Sequence, residues 1–168
     1  MRYAPVALAL SLVVGITGSM GSARMAAPAN PRVEMLLKDG RAALAKGDVM
    51  AATDSFEAAF AIDPASIPAL LALADAARRE GMQGKAIHYY REALERDPNN
   101  VVAISGEGGA MVEKGALEKA RRNLTRLEGL CGKGCAETAE LSAAILRGPA
   151  PKVVSAEAIK PEPKIESN

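Results

Sequence analysis

The sequence predicts an all-α protein in which three similar helix pairs stack one after another. The main observation is internal repetition, because residues of similar size recur at a spacing of 34 through the middle of the chain. The equivalent sets are Ala52, Ala86 and Ala120; Gly47, Gly81 and Gly115; Leu36, Leu70 and Ile104; and Phe56, Tyr90 and Leu124. A fixed period in this range indicates stacked repeats. One helix pair cannot bury its apolar faces alone, so about three are needed for stability.

The clearest unit, residues 67–100, has the pattern of two helices joined by a tight turn. From about Ile67 to Glu80, apolar residues fall at helical spacing on one face. These are Leu70, Leu73, Ala74 and Ala77. Gly81 then ends the helix, because glycine accepts the left-handed conformation that closes a helix. A second helix, from about Gln83 to Arg96, ends at Asp97-Pro98, since proline disfavours helix at the residue before it.

The neighbouring units follow the same plan. In the first unit, Gly47-Asp48 separates a helix over 32–46 from one that ends near Ile62. After the third unit, a last helix from about Ala136 to Arg147 carries apolar residues at helical spacing. Because a terminal repeat exposes an apolar edge, we expect this last helix to cap the array.

The repeated pattern resembles the tetratricopeptide repeat (TPR) family, whose consensus has small or large apolar residues at fixed positions of a 34-residue unit. The matching residues of the second unit are Leu70, Leu73, Ala74, Ala77, Ala86, Tyr90, Ala93 and Pro98. The resemblance implies a right-handed α-solenoid of three repeats, 33–66, 67–100 and 101–134, followed by a capping helix over 135–147. Asp39 and Glu107 depart from the apolar consensus at the seventh position of their repeats.

In this family the first helices of successive repeats line a concave groove. Carried over by position, the candidate partner-binding residues are Leu37, Arg41, Leu44, Leu71, Asp75, Arg78, Arg79, Val102 and Val112. Arginine offers a fork of donors that suits carboxylates. The three arginines therefore either contact an acidic segment of a protein or peptide partner, or form a solvated face. The two-carboxylate clamp of some family members is not expected, because its positions hold Leu37, Arg41, Ala72, Val102 and Gly106.

Three glycines, Gly106, Gly108 and Gly109, interrupt the predicted first helix of the third repeat. Each interior glycine costs a helix roughly 0.5–1 kcal/mol relative to alanine. Two interpretations remain open. Either a ligand backbone approaches closely in the groove, or helices make a tight contact at Gly108 and its neighbours are tolerated.

The only two cysteines, Cys131 and Cys135, lie between the last repeat helix and the predicted cap. In an exported chain such a pair indicates a disulfide, which here would fix the angle of the capping helix. Free thiols, a redox pair and a metal site are the alternatives. A redox motif normally has two intervening residues rather than three, and zinc needs further ligands. We expect no metal and no cofactor.

The two ends of the chain are predicted to lie outside the fold. Residues 1–23 have the positive start, apolar middle and small polar end of a signal peptide. The sequence therefore predicts an exported bacterial protein located in the periplasm, with membrane contact only through the signal; an uncleaved signal anchored in the inner membrane is the less favoured alternative. Residues 24–32 are predicted to be a flexible leader. Residues 148–168, rich in proline and charge, are predicted to be a disordered tail.

The composition contains no recognisable catalytic arrangement. The chain has one histidine, and neither a phosphate-binding loop nor a nucleophile motif is evident. A net charge of +1 argues against nucleic-acid binding, and no small-molecule substrate is evident. The resemblance implies a non-catalytic scaffold or adaptor that binds a protein or peptide in the cell envelope, as in pilus or secretion assemblies. A redox or enzyme-accessory protein that uses Cys131 and Cys135 and a homo-oligomeric structural protein remain as alternatives.

Overall fold

The structure is a computed structural model that describes residues 30–149, and this part of the chain forms seven helices. They are α1 (Pro31–Ala45), α2 (Val49–Ile62), α3 (Ile67–Arg79), α4 (Gln83–Arg96), α5 (Val101–Glu113), α6 (Leu117–Cys131) and α7 (Ala136–Arg147). The predicted signal peptide, most of the predicted leader and the tail beyond residue 149 lie outside the described residues. Within 30–149, no helix combines the length and the apolar character that a membrane crossing requires.

The helices pack as three antiparallel pairs, α1 with α2, α3 with α4, and α5 with α6. Each pair contacts the next one, through α2 against α3 and through α4 against α5. Along one side of the array, α1 contacts α3 and α3 contacts α5. Helix α7 contacts both α5 and α6 and covers the end of the last pair. The predicted all-α fold of stacked helix pairs with a terminal helix is therefore confirmed.

Short local signals set the ends of the helices. Four helices start with a side chain that accepts a hydrogen bond from the first turn, and these acceptors are Asn30, Asp48, Ser66 and Asn100. Between paired helices the chain turns at Gly47, Gly81 and Gly115, each with a positive φ. Side chains strain this conformation and glycine does not. The glycine spacing of 34 thus records one such turn in each repeat.

The apolar core consists of two clusters that both include residues of α3. Phe56 and Leu73 belong to the N-terminal cluster, whereas Leu70, Tyr90 and Leu127 belong to the larger C-terminal one. Several alanines have no exposed surface, namely Ala52, Ala59, Ala69, Ala74, Ala76, Ala86, Ala93 and Ala103. Because alanine leaves little side chain between two helices, their axes approach closely and the larger residues fill the space between repeats.

Helix α5 is packed against four other helices, α3, α4, α6 and α7. An added Cβ would meet Tyr90 at Gly106, Leu141 at Gly108 and Arg78 at Gly109, each within 3.0 Å. Side chains do not fit at such separations without displacing their neighbours. Contact between helices therefore accounts for Gly106 and Gly108, whereas Gly109 faces the terminal atoms of the Arg78 side chain.

The two acidic residues at the seventh position have different environments. In the second repeat this position is Leu73, which packs into the cluster of the preceding repeat. Asp39 is exposed. Glu107 is buried, and its carboxylate accepts hydrogen bonds from Arg91 Nε at 2.8 Å and Asn123 Nδ2 at 2.9 Å.

We expect Gly106→Ala to destabilise the fold. The added methyl group displaces the buried Tyr90 ring, and overpacking of this kind costs about 1–3 kcal/mol, more than the ~1 kcal/mol gained in helix propensity. Urea denaturation followed by circular dichroism measures the free energy of unfolding. Gly129→Ala in α6 is the matched control, because no atom beyond its chain neighbours and the adjacent backbone of its own helix would lie within 4 Å of its Cβ. Gly129→Ala should increase the free energy of unfolding. A similar increase for Gly106→Ala would contradict the proposed contact between Gly106 and Tyr90.

Candidate functional site

A groove runs along the side of the array that α1, α3, α5 and α7 form. It consists of three cavities of about 310, 230 and 220 Å³. Leu71 and Asp75 line both the first and the second cavity. Arg78, Ser105 and Glu140 line both the second and the third. Because adjacent cavities share walls, they form one continuous groove from α1 to α7.

The structure places most of the sequence-predicted site residues along this groove. Those that line it are Arg41, Leu44, Leu71, Asp75, Arg78, Val102 and Val112. Leu37 instead lies in the N-terminal core cluster with 4% of its surface exposed, because α1 packs against both α2 and α3. Arg79 lies on the exposed surface of α3, where its Nε donates to Asp75 at 3.1 Å.

Arg78 is held within the groove wall. Its guanidinium donates to the carboxylate of Glu113 through both Nε and Nη2, and it lies directly over Gly109. Burial alone would lower the pKa of Arg78, but the bonds to Glu113 and the nearby Tyr90 outweigh burial and raise it. The Arg78 charge is therefore permanent and is already matched by a carboxylate of the protein. An arginine in such a pair attracts the carboxylate of a partner much less strongly than an unpaired arginine would.

Arg41 has a different environment from Arg78. It lines the first cavity together with the mainly apolar residues Leu44, Phe56, Pro68 and Leu71. None of the ion pairs within residues 30–149 includes Arg41. Of the three predicted groove arginines, it is the one placed to receive a carboxylate beside an apolar wall.

Two glutamates of α7 line the groove, a feature that the sequence analysis missed. Glu137 and Glu140 line the central cavity opposite Asp75. Ser105 Oγ donates to the backbone oxygen of Glu137 at 3.1 Å and so ties α7 to α5. The available signal was the three-residue spacing of the two glutamates, which places them on one face of a helix. It was missed because α7 was considered only as a cap.

Tyr90 connects the groove to the core. Its ring is buried within the C-terminal cluster, yet it also lines the central cavity beside Gly106. Burial raises the pKa of the Tyr90 hydroxyl, and the nearby positive charge of Arg78 opposes only part of that rise. Tyr90 therefore enters the groove wall as a neutral hydroxyl.

A disulfide joins Cys131, the last residue of α6, to Cys135, the residue before α7. The carboxylate of Glu137 lies close to both sulfurs. Sulfurs that are bonded to each other do not provide the thiolates that metals bind. The bridge spans the connection between α6 and α7, where the sequence predicts a disulfide that fixes the cap.

Comparison with known sequences agrees with this geometry. The sequence model of the family described as protein kinase G tetratricopeptide repeat matches residues 22–161. The chain belongs to this TPR family. Among curated proteins, none matches the chain significantly. Although the family takes its name from a kinase, a TPR domain is in general a non-catalytic module.

Solved TPR domains have the same fold as this TPR protein. The first TPR of Spaghetti (RPAP3), bound to an HSP90 peptide, is 20% identical with a TM-score of 0.63, over 71% of this chain and 94% of its own. The Yersinia enterocolitica type III secretion chaperone SycD, in complex with a peptide of the translocator YopD, is 19% identical with a TM-score of 0.61, over 71% and 96%. The Sgt2 TPR domain from Aspergillus fumigatus is 27% identical with a TM-score of 0.62, over 76% and 91%.

Arg78→Glu should lower the melting temperature clearly, whereas Arg79→Glu should change it little. The first substitution places two carboxylates together in a partly buried site, and breaking such a pair costs roughly 3–5 kcal/mol when burial is complete and less here. The second affects an exposed pair on the same helix. Thermal denaturation by circular dichroism compares the two variants. Equal melting temperatures would show that Arg78 is not held as described.

The stability of the wild type should fall more steeply at alkaline pH than that of Tyr90→Phe. The pKa of Tyr90 is raised in the folded state, so the unfolded chain loses this proton first, near pH ~10. The stabilisation is therefore present below pH ~10 and is lost as the pH rises through the folded pKa. Urea denaturation from pH 8 to about 11 measures the effect, and Tyr89→Phe is the matched control for loss of a hydroxyl. Parallel curves for wild type and Tyr90→Phe would contradict this prediction.

Proposed function

We propose that this TPR protein is a non-catalytic adaptor that holds a segment of a protein partner in the groove between α1 and α7. The observation that carries the proposal is the continuity of the groove, since each of its three cavities shares lining residues with the next one. TPR proteins of the same fold have been solved with peptides bound, which supports a peptide as the occupant.

The first and the central cavity of the groove favour different side chains of the partner. Beside Arg41, the apolar wall that includes Leu44 and Leu71 favours an apolar side chain next to a carboxylate. In the central cavity, Glu137 and Glu140 favour a lysine or an arginine of the partner. Arg78 lines the central and the last cavity, but it is already paired with Glu113. Of the two interpretations left open for the three groove arginines, contact with an acidic segment is therefore proposed for Arg41 alone.

The proposed location is the periplasm, within an envelope assembly such as pilus or secretion machinery. The support is the signal-peptide pattern of residues 1–23, which lie outside the described part of the structure. The secretion chaperone SycD has the same fold, which is consistent with such a role. The chaperone activity itself is known for SycD and is not carried over to this chain. The redox-accessory and homo-oligomer alternatives remain predictions from the sequence.

Site-specific photo-crosslinking in cells tests whether the groove is the binding surface. A photo-reactive residue at Val102, which lines the central cavity and is 48% exposed, should capture a partner that mass spectrometry identifies. The control is the same residue at Met50, which is 76% exposed on α2 and lines none of the groove cavities. Capture of the same protein from both positions would place the contact elsewhere.

Peptides from the captured protein then test the proposed chemistry. Arg41→Ala should weaken binding by about tenfold or more, because a hydrogen bond to a charged group contributes about 1.5–3 kcal/mol. Lys38→Ala removes an exposed charge from the same helix outside the groove and should leave the affinity unchanged. Fluorescence polarisation gives the dissociation constants. Equal affinities for Arg41→Ala and wild type would remove Arg41 from the site.

A further inference from the structure

A second cavity lies on the outer side of the array, where α4 meets the turn between α5 and α6. Its volume is about 410 Å³, larger than any of the three groove cavities, and it shares no lining residue with them. Ile87 and Met111, both buried, provide an apolar floor. This volume lies within the range of about 300–1,000 Å³ that is typical of small-molecule sites.

The titratable side chains that line this outer cavity are all basic: His88, Arg91, Lys114 and Lys119. In a chain whose net charge is +1 with histidine neutral, Lys114 and Lys119 beside the Glu107-bound Arg91 form a local concentration of positive charge. The carboxylates next to the lysines in sequence are used elsewhere, since Glu113 pairs with Arg78 and Glu118 pairs with Arg121. Within residues 30–149, neither lysine has an ion-pair partner.

Arg91 is oriented by a buried carboxylate. Its Nε donates to Glu107 at 2.8 Å, and the other oxygen of Glu107 accepts from Asn123. The two terminal nitrogens of Arg91 make no hydrogen bond to the residues that the structure describes. A guanidinium held at Nε keeps its two terminal nitrogens for a second ligand, and phosphate oxygens match that fork.

The backbone at the start of α6 adds to the positive electrostatic potential of the outer cavity. Gly115 and Ala116 line the cavity, and Ala116 is the N-cap of α6 but makes no side-chain hydrogen bond to the first turn. In α2, by contrast, the Asp48 side chain accepts from that turn. Backbone N–H groups at a helix start without such an acceptor favour an anion, in addition to the charges of Lys114 and Lys119.

The geometry points to an anion site in this outer cavity that binds the phosphate group of a small organic molecule. Arg91, Lys114 and Lys119 would hold the phosphate, and the organic body would lie on Ile87 and Met111. Peptide binding in the groove does not require this site, so failure of one proposal would leave the other unaffected. Recruitment of an organic phosphate would be a second activity of the array.

Titration of the full chain with phenyl phosphate tests this site, with NMR shifts of backbone amides as the readout. Saturable shifts should centre on Gly84, Gly115 and the first turn of α6. The double variant Lys114→Gln/Lys119→Gln should bind at least about tenfold more weakly, because charged hydrogen bonds contribute about 1.5–3 kcal/mol each. The matched control is Lys38→Gln/Lys46→Gln, which changes two exposed lysines on α1 and at its C-terminal cap and should bind like the wild type.

Three outcomes would overturn the assignment. They are the absence of saturable shifts at Gly115 and α6, an equal loss of affinity in the α1 control, and shifts spread evenly over exposed lysines. Inorganic phosphate tests the apolar floor, because it carries a similar charge without the ring. We expect it to bind several-fold more weakly than phenyl phosphate, and equal affinities would rule out a role for Ile87 and Met111.

Discussion

The fold depends most on how closely α5 approaches the elements around it. Its glycines at 106, 108 and 109 contact Tyr90, Leu141 and Arg78, which come from α4, α7 and α3. Successive residues on a helix point in directions about 100° apart, so a short glycine cluster opens several sides at once. Each glycine costs about 1 kcal/mol of helix propensity, but full burial of a large apolar side chain returns about 1.5–3 kcal/mol. A sequence that weakens α5 in isolation therefore strengthens the array.

Two carboxylates on α5 give the two sides of the molecule different electrostatic properties. Glu113 faces the groove and takes both Nε and Nη2 of Arg78, so that arginine becomes part of a neutral wall. Glu107 lies towards α4 and takes only Nε of Arg91. The same kind of ion pair thus neutralises an arginine in the groove wall but leaves hydrogen-bond donors at the outer cavity. The difference comes from which guanidinium nitrogens each carboxylate uses.

Features that depend on local chemistry were predictable from the sequence. The predicted bounds of α4 and α7 coincide with the observed ones, because Gly81, Asp97-Pro98 and the Cys131–Cys135 connection end helices through local backbone preferences. For most residues that line the groove, the assignment came from the resemblance to the TPR family, carried over by position within each repeat. The period could not show that Leu37 is buried or that Arg78 pairs with Glu113, since both depend on packing between helices. Glu137 and Glu140 lie beyond the last repeat, where the period gives no assignment.

The seventh position of each repeat shows that the repeat period alone does not predict the environment of a side chain. It holds Leu73 in the core, Asp39 in solvent and Glu107 in a buried ion pair. A buried carboxylate without partners would cost several kcal/mol, and its two hydrogen bonds to Arg91 and Asn123 are what make it tolerable. An apolar residue such as Leu73 would fill that position without this requirement. Unlike an apolar residue, Glu107 fixes the guanidinium of Arg91 at the edge of the outer cavity. This effect on Arg91 is the strongest reason to regard the departure from the apolar consensus as functional.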